Sequence, residues 1–148
     1  MDRQSIITYK ESFDAIATYI MGDDGNDQVE VWFARDLQPV LGYARWENFQ
    51  TAIGRAVDSC KSLNVSVDDH FREVTKMVQL GSGSVREIQD YMLTRYACYL
   101  IAQNGVPEPE WAATAHDVIV TFWRKSKDAD SQNVGNFVGN YTHHRARH

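Results

Sequence analysis

The side chains best suited to contacting a partner form a small set of cations and amides near the middle of the chain. Arg45, Asn48 and Arg55 fall within one stretch with helical spacing, and Lys76 and Arg86 flank a Gly-Ser-Gly-Ser turn. Arginine and asparagine can read base edges in the major groove, and lysine and arginine bind phosphate. The set therefore indicates contact with nucleic acid, although a packed helical hairpin and solvated strand cations would use the same residues.

A second group of this kind surrounds Arg95. Tyr91, Tyr96 and Tyr99 lie within a few positions of it along the chain. Aromatic and guanidinium planes can stack on the bases of single-stranded nucleic acid. Filling of the core, with the tyrosine hydroxyls at its edge, is the alternative use of these rings. We include Arg95 among the candidate nucleic-acid-binding residues.

The sequence holds no set of residues that looks built for bond-making chemistry. The Gly-Ser-Gly-Ser turn lacks the lysine that follows the glycines of a phosphate loop. The run Asp68-Asp69-His70 has no accompanying carboxylate pair or Ser/His/Asp order. The histidines near the C-terminus, His143, His144 and His148, do not have the spacing of a metal site. We predict a protein that is not an enzyme and that uses no cofactor and no metal.

The charge of the chain excludes a strongly basic nucleic-acid coat. The 148 residues carry a net charge of −5 and are 43% hydrophobic, which is typical of a globular domain. Residues 1–27 hold two cations, Arg3 and Lys10, against six carboxylates, so nearly all the excess acid lies there. A local basic surface elsewhere is compatible with this distribution.

Other features of the composition predict a cytoplasmic location. No apolar run approaches the roughly 20 residues that span a bilayer. The first residues, MDRQSIITYKESFD, lack the apolar centre of a signal peptide. Cys60 and Cys98 each fall inside an apolar helical pattern, so we expect small buried side chains instead of a disulfide.

Hydrophobic periodicity and turn residues predict the elements that position these side chains. We expect helices over residues 5–21, 35–41, 46–62, 94–103 and 110–125, and strands over 28–33, 71–80 and 85–93. The first half of the hairpin, HFREVTKMV, also fits a helix by period alone. The turn composition and β-branched residues favour strands. Gly42 is expected to end the second helix, and Thr94 to cap the fourth.

Together these elements predict an α+β fold, in which a small antiparallel sheet with a hairpin packs against several helices in a single domain. Within it we distinguish an acidic N-terminal helix and turn at 1–27, a central domain at 28–127 and a mobile polar tail at 128–148. The acidic segment either packs on the core of the same chain, which its apolar stripe favours, or meets a partner.

Several segments resemble a known family. The pieces WFARDLQPVLGY, WENF, HFREVTKMV, GSGSVRE and DYMLTRYACYLIAQNG are similar to the shared domain of the DNA-damage-inducible protein D family. That domain is related to the amino-terminal domain of baculovirus Bro proteins and of phage antirepressors. The central domain at 28–127 is thus expected to be of the Bro-N type. Protein D relatives continue well past this domain; if their additional part carries recombinase control, this shorter chain is expected to lack it.

The resemblance implies a regulator of DNA transactions without chemical turnover. In the first hypothesis the chain acts in the DNA-damage response and binds DNA, including single-stranded DNA, or a filament of a RecA-like recombinase on DNA. The second hypothesis is a phage-type antirepressor that binds and inactivates a repressor protein. The acidic first segment suits the second hypothesis, because it could cover a cationic DNA-binding surface.

Overall fold

The computed structural model describes residues 3–132, which form a four-stranded antiparallel sheet and five α-helices. The elements in chain order are α1 (Arg3–Ala15), β1 (Thr18–Met21), β2 (Gln28–Phe33), α2 (Ala34–Val40), α3 (Trp46–Ser62), β3 (Phe71–Gln79), β4 (Val85–Leu93), α4 (Arg95–Asn104) and α5 (Glu110–Gln132), with a 3-10 turn at Val67–Asp69. The predicted α+β class and the predicted hairpin are confirmed.

The sheet has the strand order β1-β2-β4-β3. Strands β2 and β4 pair only at Trp32 with Leu93 and at Phe33 with Met92. The β3–β4 hairpin, in contrast, pairs along its whole length. Residues 73–91 therefore pair only with one another, and we call them the wing. The tip of the wing is exposed to solvent, and this holds for every residue from 79 to 87.

One face of the sheet carries the core, and we call it the inner face. Trp32 and Phe49 are fully buried, and Phe13 of α1 stacks on the Trp32 ring with centroids 4.6 Å apart. The Trp32 indole N–H donates a hydrogen bond to the Phe13 carbonyl oxygen at 2.9 Å. Helix α1 is thus part of the core, and its predicted packing within the same chain is confirmed.

The first predicted helix was too long. Helix α1 ends at Ala15, and Thr18–Met21 form β1, paired with β2. Ile16 and Ile20 fit the helical spacing, which is why the helix was predicted to continue. The same segment is rich in β-branched and aromatic residues, so it also fits a strand, and pairing with β2 decides between the two.

Predicted helix ends are confirmed at two positions. Gly42 follows α2 with a φ of +82°, and its N–H donates to the Pro39 carbonyl oxygen at 3.1 Å. A Cβ at this position would lie 2.7 Å from the Cβ of Ala112, so glycine is required for space as well as conformation. At α4, the Thr94 hydroxyl accepts a hydrogen bond from the N–H of Ala97 at 3.2 Å.

Helix α5 extends farther than the sequence indicated. It continues to Gln132, so residues 128–132 of the predicted tail are helical. The remainder of the predicted mobile tail lies outside the described residues. Among residues 3–132, no helix is both long enough and apolar enough to cross a membrane.

Both cysteines are expected to be unreactive in the folded protein. Cys60 and Cys98 are fully buried and free. Burial raises the pKa of both thiols, and that of Cys98 strongly, so little thiolate forms near neutral pH. A colorimetric thiol reagent should detect almost no thiol in native protein at pH 8, and two per chain in denaturant. Rapid labelling of folded protein would contradict this expectation.

Candidate functional site

The wing has two chemically different faces. Side chains alternate along each strand, and residues paired across two antiparallel strands share a face. The pairing register places Lys76 and Arg86 on one face, together with Arg72 at the base of the wing. Glu73 and Glu87 fall on the opposite face. We call the first of these the cationic face and define it by Arg72, Lys76 and Arg86.

The charges of the cationic face are held only loosely. Lys76 Nζ lies 3.9 Å from an Asp36 carboxylate oxygen, and an Arg72 guanidinium nitrogen lies 3.5 Å from Asp23. All four of these side chains are between 42% and 55% exposed, and ion pairs of this kind contribute little. Arg86 is exposed near the tip. These cations can therefore turn to a phosphate at small cost.

The opposite face fixes the wing to α3. Gln50 of α3 donates a side-chain hydrogen bond to Gln89 at 2.6 Å, and Gln89 donates in turn to Glu73 at 3.0 Å and to the Tyr91 hydroxyl at 3.1 Å. The Tyr91 ring lies against Trp46 of α3, with centroids 6.2 Å apart. The wing therefore has a defined orientation on the helices. Burial also raises the pKa of Tyr91.

Arg35 is a second support of the wing, and no local sequence pattern distinguishes it. Its guanidinium lies 3.7 Å from the centre of the Trp46 ring, and its Nε donates to the Gln89 carbonyl oxygen at 2.9 Å. The Arg35 backbone N–H donates to the Asp90 carboxylate at 3.0 Å. Asp90 is 1% exposed, so this bond ties the start of α2 to β4 inside the protein.

The α3 candidates lie away from the wing. The Asn48 amide donates to the Glu108 carboxylate at 3.1 Å, on the far side of the helix from Gln50. Arg55 is two helical turns after Asn48 and therefore shares its flank. Burial raises the pKa of Tyr43, while the charge of Arg55 lowers it and that of Glu108 raises it. Arg45 is exposed immediately before the helix.

Arg95 lies in a third place. Its guanidinium donates to both carboxylate oxygens of Glu30, at 3.2 and 3.1 Å, and lies 3.8 Å from Asp14. It also stands over the Trp32 ring at 4.8 Å. Arg95 thus joins α1, β2 and α4. The structure brings Lys76 and Arg86 together, groups Asn48 with Arg55, and keeps Arg95 apart from both pairs.

The tyrosines near Arg95 pack mainly on other rings. Tyr96 and Tyr99 both lie 5.4 Å from Trp123 of α5, measured between ring centroids, and all three are half-buried. Trp123 comes from a distant part of the chain, so the sequence did not connect it with the tyrosines. The arrangement is an aromatic cluster between α4 and α5.

The described histidines bind to neighbouring protein groups. His70 Nδ1 lies 2.6 Å from the Thr94 hydroxyl oxygen, and the two ring nitrogens of His116 lie 3.1 Å from the Ala102 carbonyl oxygen and 3.0 Å from that of Leu41. Within residues 3–132, no three His, Cys, Asp or Glu residues are grouped so as to hold a metal ion. His143, His144 and His148 lie outside the described residues.

A groove crosses the other end of the sheet, on the same face as the wing cations. The face opposite the core is here called the outer face. The groove is small, about 80 Å³, and lies between the β1–β2 turn and the 3-10 turn. Its floor is apolar and its rim is charged. The floor consists of Ile20, Val29, Val31 and Met92, and the rim of Asp23, Asp68, Asp69 and Arg72. The sequence did not predict this groove, because its walls come from four separate segments.

Comparison with known proteins agrees with the resemblance seen in the sequence. The profile of the family described as "BRO family, N-terminal domain" matches residues 6–119. DNA damage-inducible protein D of Escherichia coli (strain K12) is 37% identical over 103 residues, which cover 70% of this chain and 38% of that protein. The chain thus spans less than half the length of this curated relative. No solved structure matches significantly.

Proposed function

The chain belongs to the family of BRO N-terminal domains, and we propose that it is a non-enzymatic regulator of DNA transactions that binds DNA through the cationic face of its wing. The target is DNA alone, including single-stranded DNA, or DNA within a recombinase filament. The name of its relative from Escherichia coli, DNA damage-inducible protein D, supports a role in the response to damage.

The observation that carries this proposal is the separation of charge on the wing. Arg72, Lys76 and Arg86 share one face, on which the Asp90 carboxylate is buried, and Glu73 and Glu87 lie on the other. The protein as a whole is acidic, with a net charge of −5. A projecting hairpin that collects cations on one side allows such a protein to approach the phosphate backbone with a locally positive surface.

The flank of α3 is a second proposed contact. Arg45, Asn48 and Arg55 have the chemistry to read bases, and all three are exposed. They lie apart from the wing, so a nucleic acid would have to pass around α3 to reach both. Arg95 is not included in the proposed interface, because its guanidinium already binds Glu30 and Asp14.

The double substitution Lys76→Gln/Arg86→Gln tests the wing directly. Each cation that contacts a phosphate contributes about one unit to the slope of log affinity against log salt. We therefore expect the slope to fall by about two and the affinity for a labelled oligonucleotide to fall about tenfold at low salt. Fluorescence anisotropy with single-stranded and duplex DNA, with and without recombinase, measures both quantities.

Matched control variants show whether the loss of DNA binding is specific to the wing. Lys61→Gln/Arg124→Gln removes two exposed cations elsewhere and should leave binding nearly unchanged. Arg45→Gln/Arg55→Gln tests the α3 flank separately. Binding that is independent of salt, or that is equally weakened by the Lys61/Arg124 control, would contradict the proposed role of the wing.

An antirepressor function is the second candidate, and one observation favours it. The β1–β2 turn carries Asp23, Asp24 and Asp27, and Asp68 and Asp69 lie across the groove from it. An acidic surface of this kind complements the DNA-binding surface of a repressor. Removal of residues 1–22 would also remove Phe13 and β1 from the fold, so substitutions at the groove are the cleaner test.

A further inference from the structure

The groove on the outer face combines an apolar floor with an acidic rim. Ile20, Val29 and Val31 are on one face of the β1–β2 pair, and Met92 continues that face onto β4. Val31 is 5% exposed, whereas Ile20, Val29 and Met92 are only half-buried. Apolar contact area is therefore available to a ligand that enters between the two turns.

Negative charge predominates around the groove. The rim has three carboxylates, those of Asp23, Asp68 and Asp69, against the single guanidinium of Arg72. Asp24 and Asp27 follow Asp23 in the same turn. Carboxylates thus outnumber cations at this end of the outer face, whereas Lys76 and Arg86 are the exposed charges on the same face of the wing.

We propose that this groove binds an extended, basic segment of a protein partner. Apolar side chains of the segment would pack on Ile20, Val29 and Met92, and its lysine or arginine side chains would meet Asp68 and Asp69. Charge complementarity selects this occupant, because a nucleic acid would bring phosphates to the carboxylates.

This inference rests on the second candidate function, capture of a protein partner by the acidic surface, and does not depend on DNA binding by the wing. Lys76 and Arg86 project from the outer part of the hairpin, whereas Asp68 and Asp69 precede β3. Substitutions at one place leave the side chains of the other unchanged. Loss of peptide binding and loss of DNA binding can therefore be measured independently in the same set of variants.

The test uses a fluorescein-labelled nonapeptide of alternating valine and arginine, with an analogue that has glutamine in place of arginine. The variant Asp68→Asn/Asp69→Asn removes two rim charges and keeps the side-chain shapes. The matched control, Glu47→Gln/Asp58→Asn, removes two exposed carboxylates from α3. We expect the rim variant to bind the peptide about five- to tenfold more weakly at moderate salt, the control variant to bind as the parent does, and the glutamine analogue to bind poorly.

Nuclear magnetic resonance identifies the residues that the peptide contacts. Addition of the arginine peptide should shift the methyl signals of Ile20, Val29 and Met92, and these shifts should be lost in the rim variant. Equal weakening by the two double variants would show general charge attraction and overturn the proposal. So would peptide-induced shifts confined to other surfaces, or a dimer in sedimentation equilibrium that the rim substitutions abolish, since a second copy would then occupy the groove.

Discussion

Replacement of Trp32 by alanine is expected to lower the free energy of unfolding by about 3–5 kcal/mol, as large-to-small substitutions of buried aromatic residues do. The ring is 0% exposed, stacks on Phe13 and lies beneath the Arg95 guanidinium. Its indole N–H also donates a hydrogen bond to the Phe13 carbonyl oxygen. Since the free energy of unfolding of a typical domain is about 5–15 kcal/mol, this substitution removes a large share of the total stability. Urea denaturation followed by circular dichroism measures the loss.

Two further tryptophan variants separate the causes. Trp32→Phe keeps most of the ring packing and removes only the indole N–H, so it should cost much less than the alanine. Trp111, which is 44% exposed and stacks on Tyr9, is the matched control. If Trp111→Ala destabilised the protein as much as Trp32→Ala, the role assigned to Trp32 in joining α1 to the sheet would be wrong.

The substitution Gly42→Ala should have the second largest effect, because two penalties coincide there. A left-handed φ costs a residue with a Cβ about 1–2 kcal/mol, and the φ of Gly42 is +82°. Overpacking adds about 1–3 kcal/mol, because the new Cβ would lie 2.7 Å from that of Ala112. We expect a loss of about 2–5 kcal/mol in total, measured by chemical denaturation.

A second glycine separates the two penalties. Gly25 has a φ of +74° and no atom within 4 Å of its added Cβ, so Gly25→Ala should show the conformational cost alone. Combining Gly42→Ala with Ala112→Gly removes the close contact and should restore part of the lost stability. Equal destabilisation by Gly25→Ala and Gly42→Ala would mean that crowding against α5 is unimportant.

The parts of the fold that were predictable are those with a strong local pattern. The strand Gln28–Phe33 and the helix Trp46–Ser62 have the predicted bounds. The hairpin was identified from its turn residues and β-branched strands, although one half also fitted a helix. At β1, apolar spacing alone was misleading, because strand pairing with β2 depends on residues that the local pattern does not include.

The candidate surfaces were less predictable, because their geometry depends on contacts between distant segments. Two cations flanking a turn were visible in the sequence, but their common face follows from the pairing register of β3 with β4. Arg95 has residue chemistry suited to nucleic acid, yet its partner Glu30 is 65 positions away. No local sequence pattern predicts such an ion pair. The groove likewise needs the β1–β2 turn beside the 3-10 turn.

The opposite signs at the two ends of the outer face have a consequence for how the domain meets a large polyanion. The cations Lys76 and Arg86 lie on the outer face of the protruding hairpin, and the carboxylates of Asp23, Asp68 and Asp69 lie at the far end of the same face. Such a charge distribution orients the molecule as it approaches the polyanion. The orientation acts within the Debye screening length, which is roughly 8 Å at physiological salt. Encounters should therefore begin with the hairpin tip foremost and give the bound domain a defined direction.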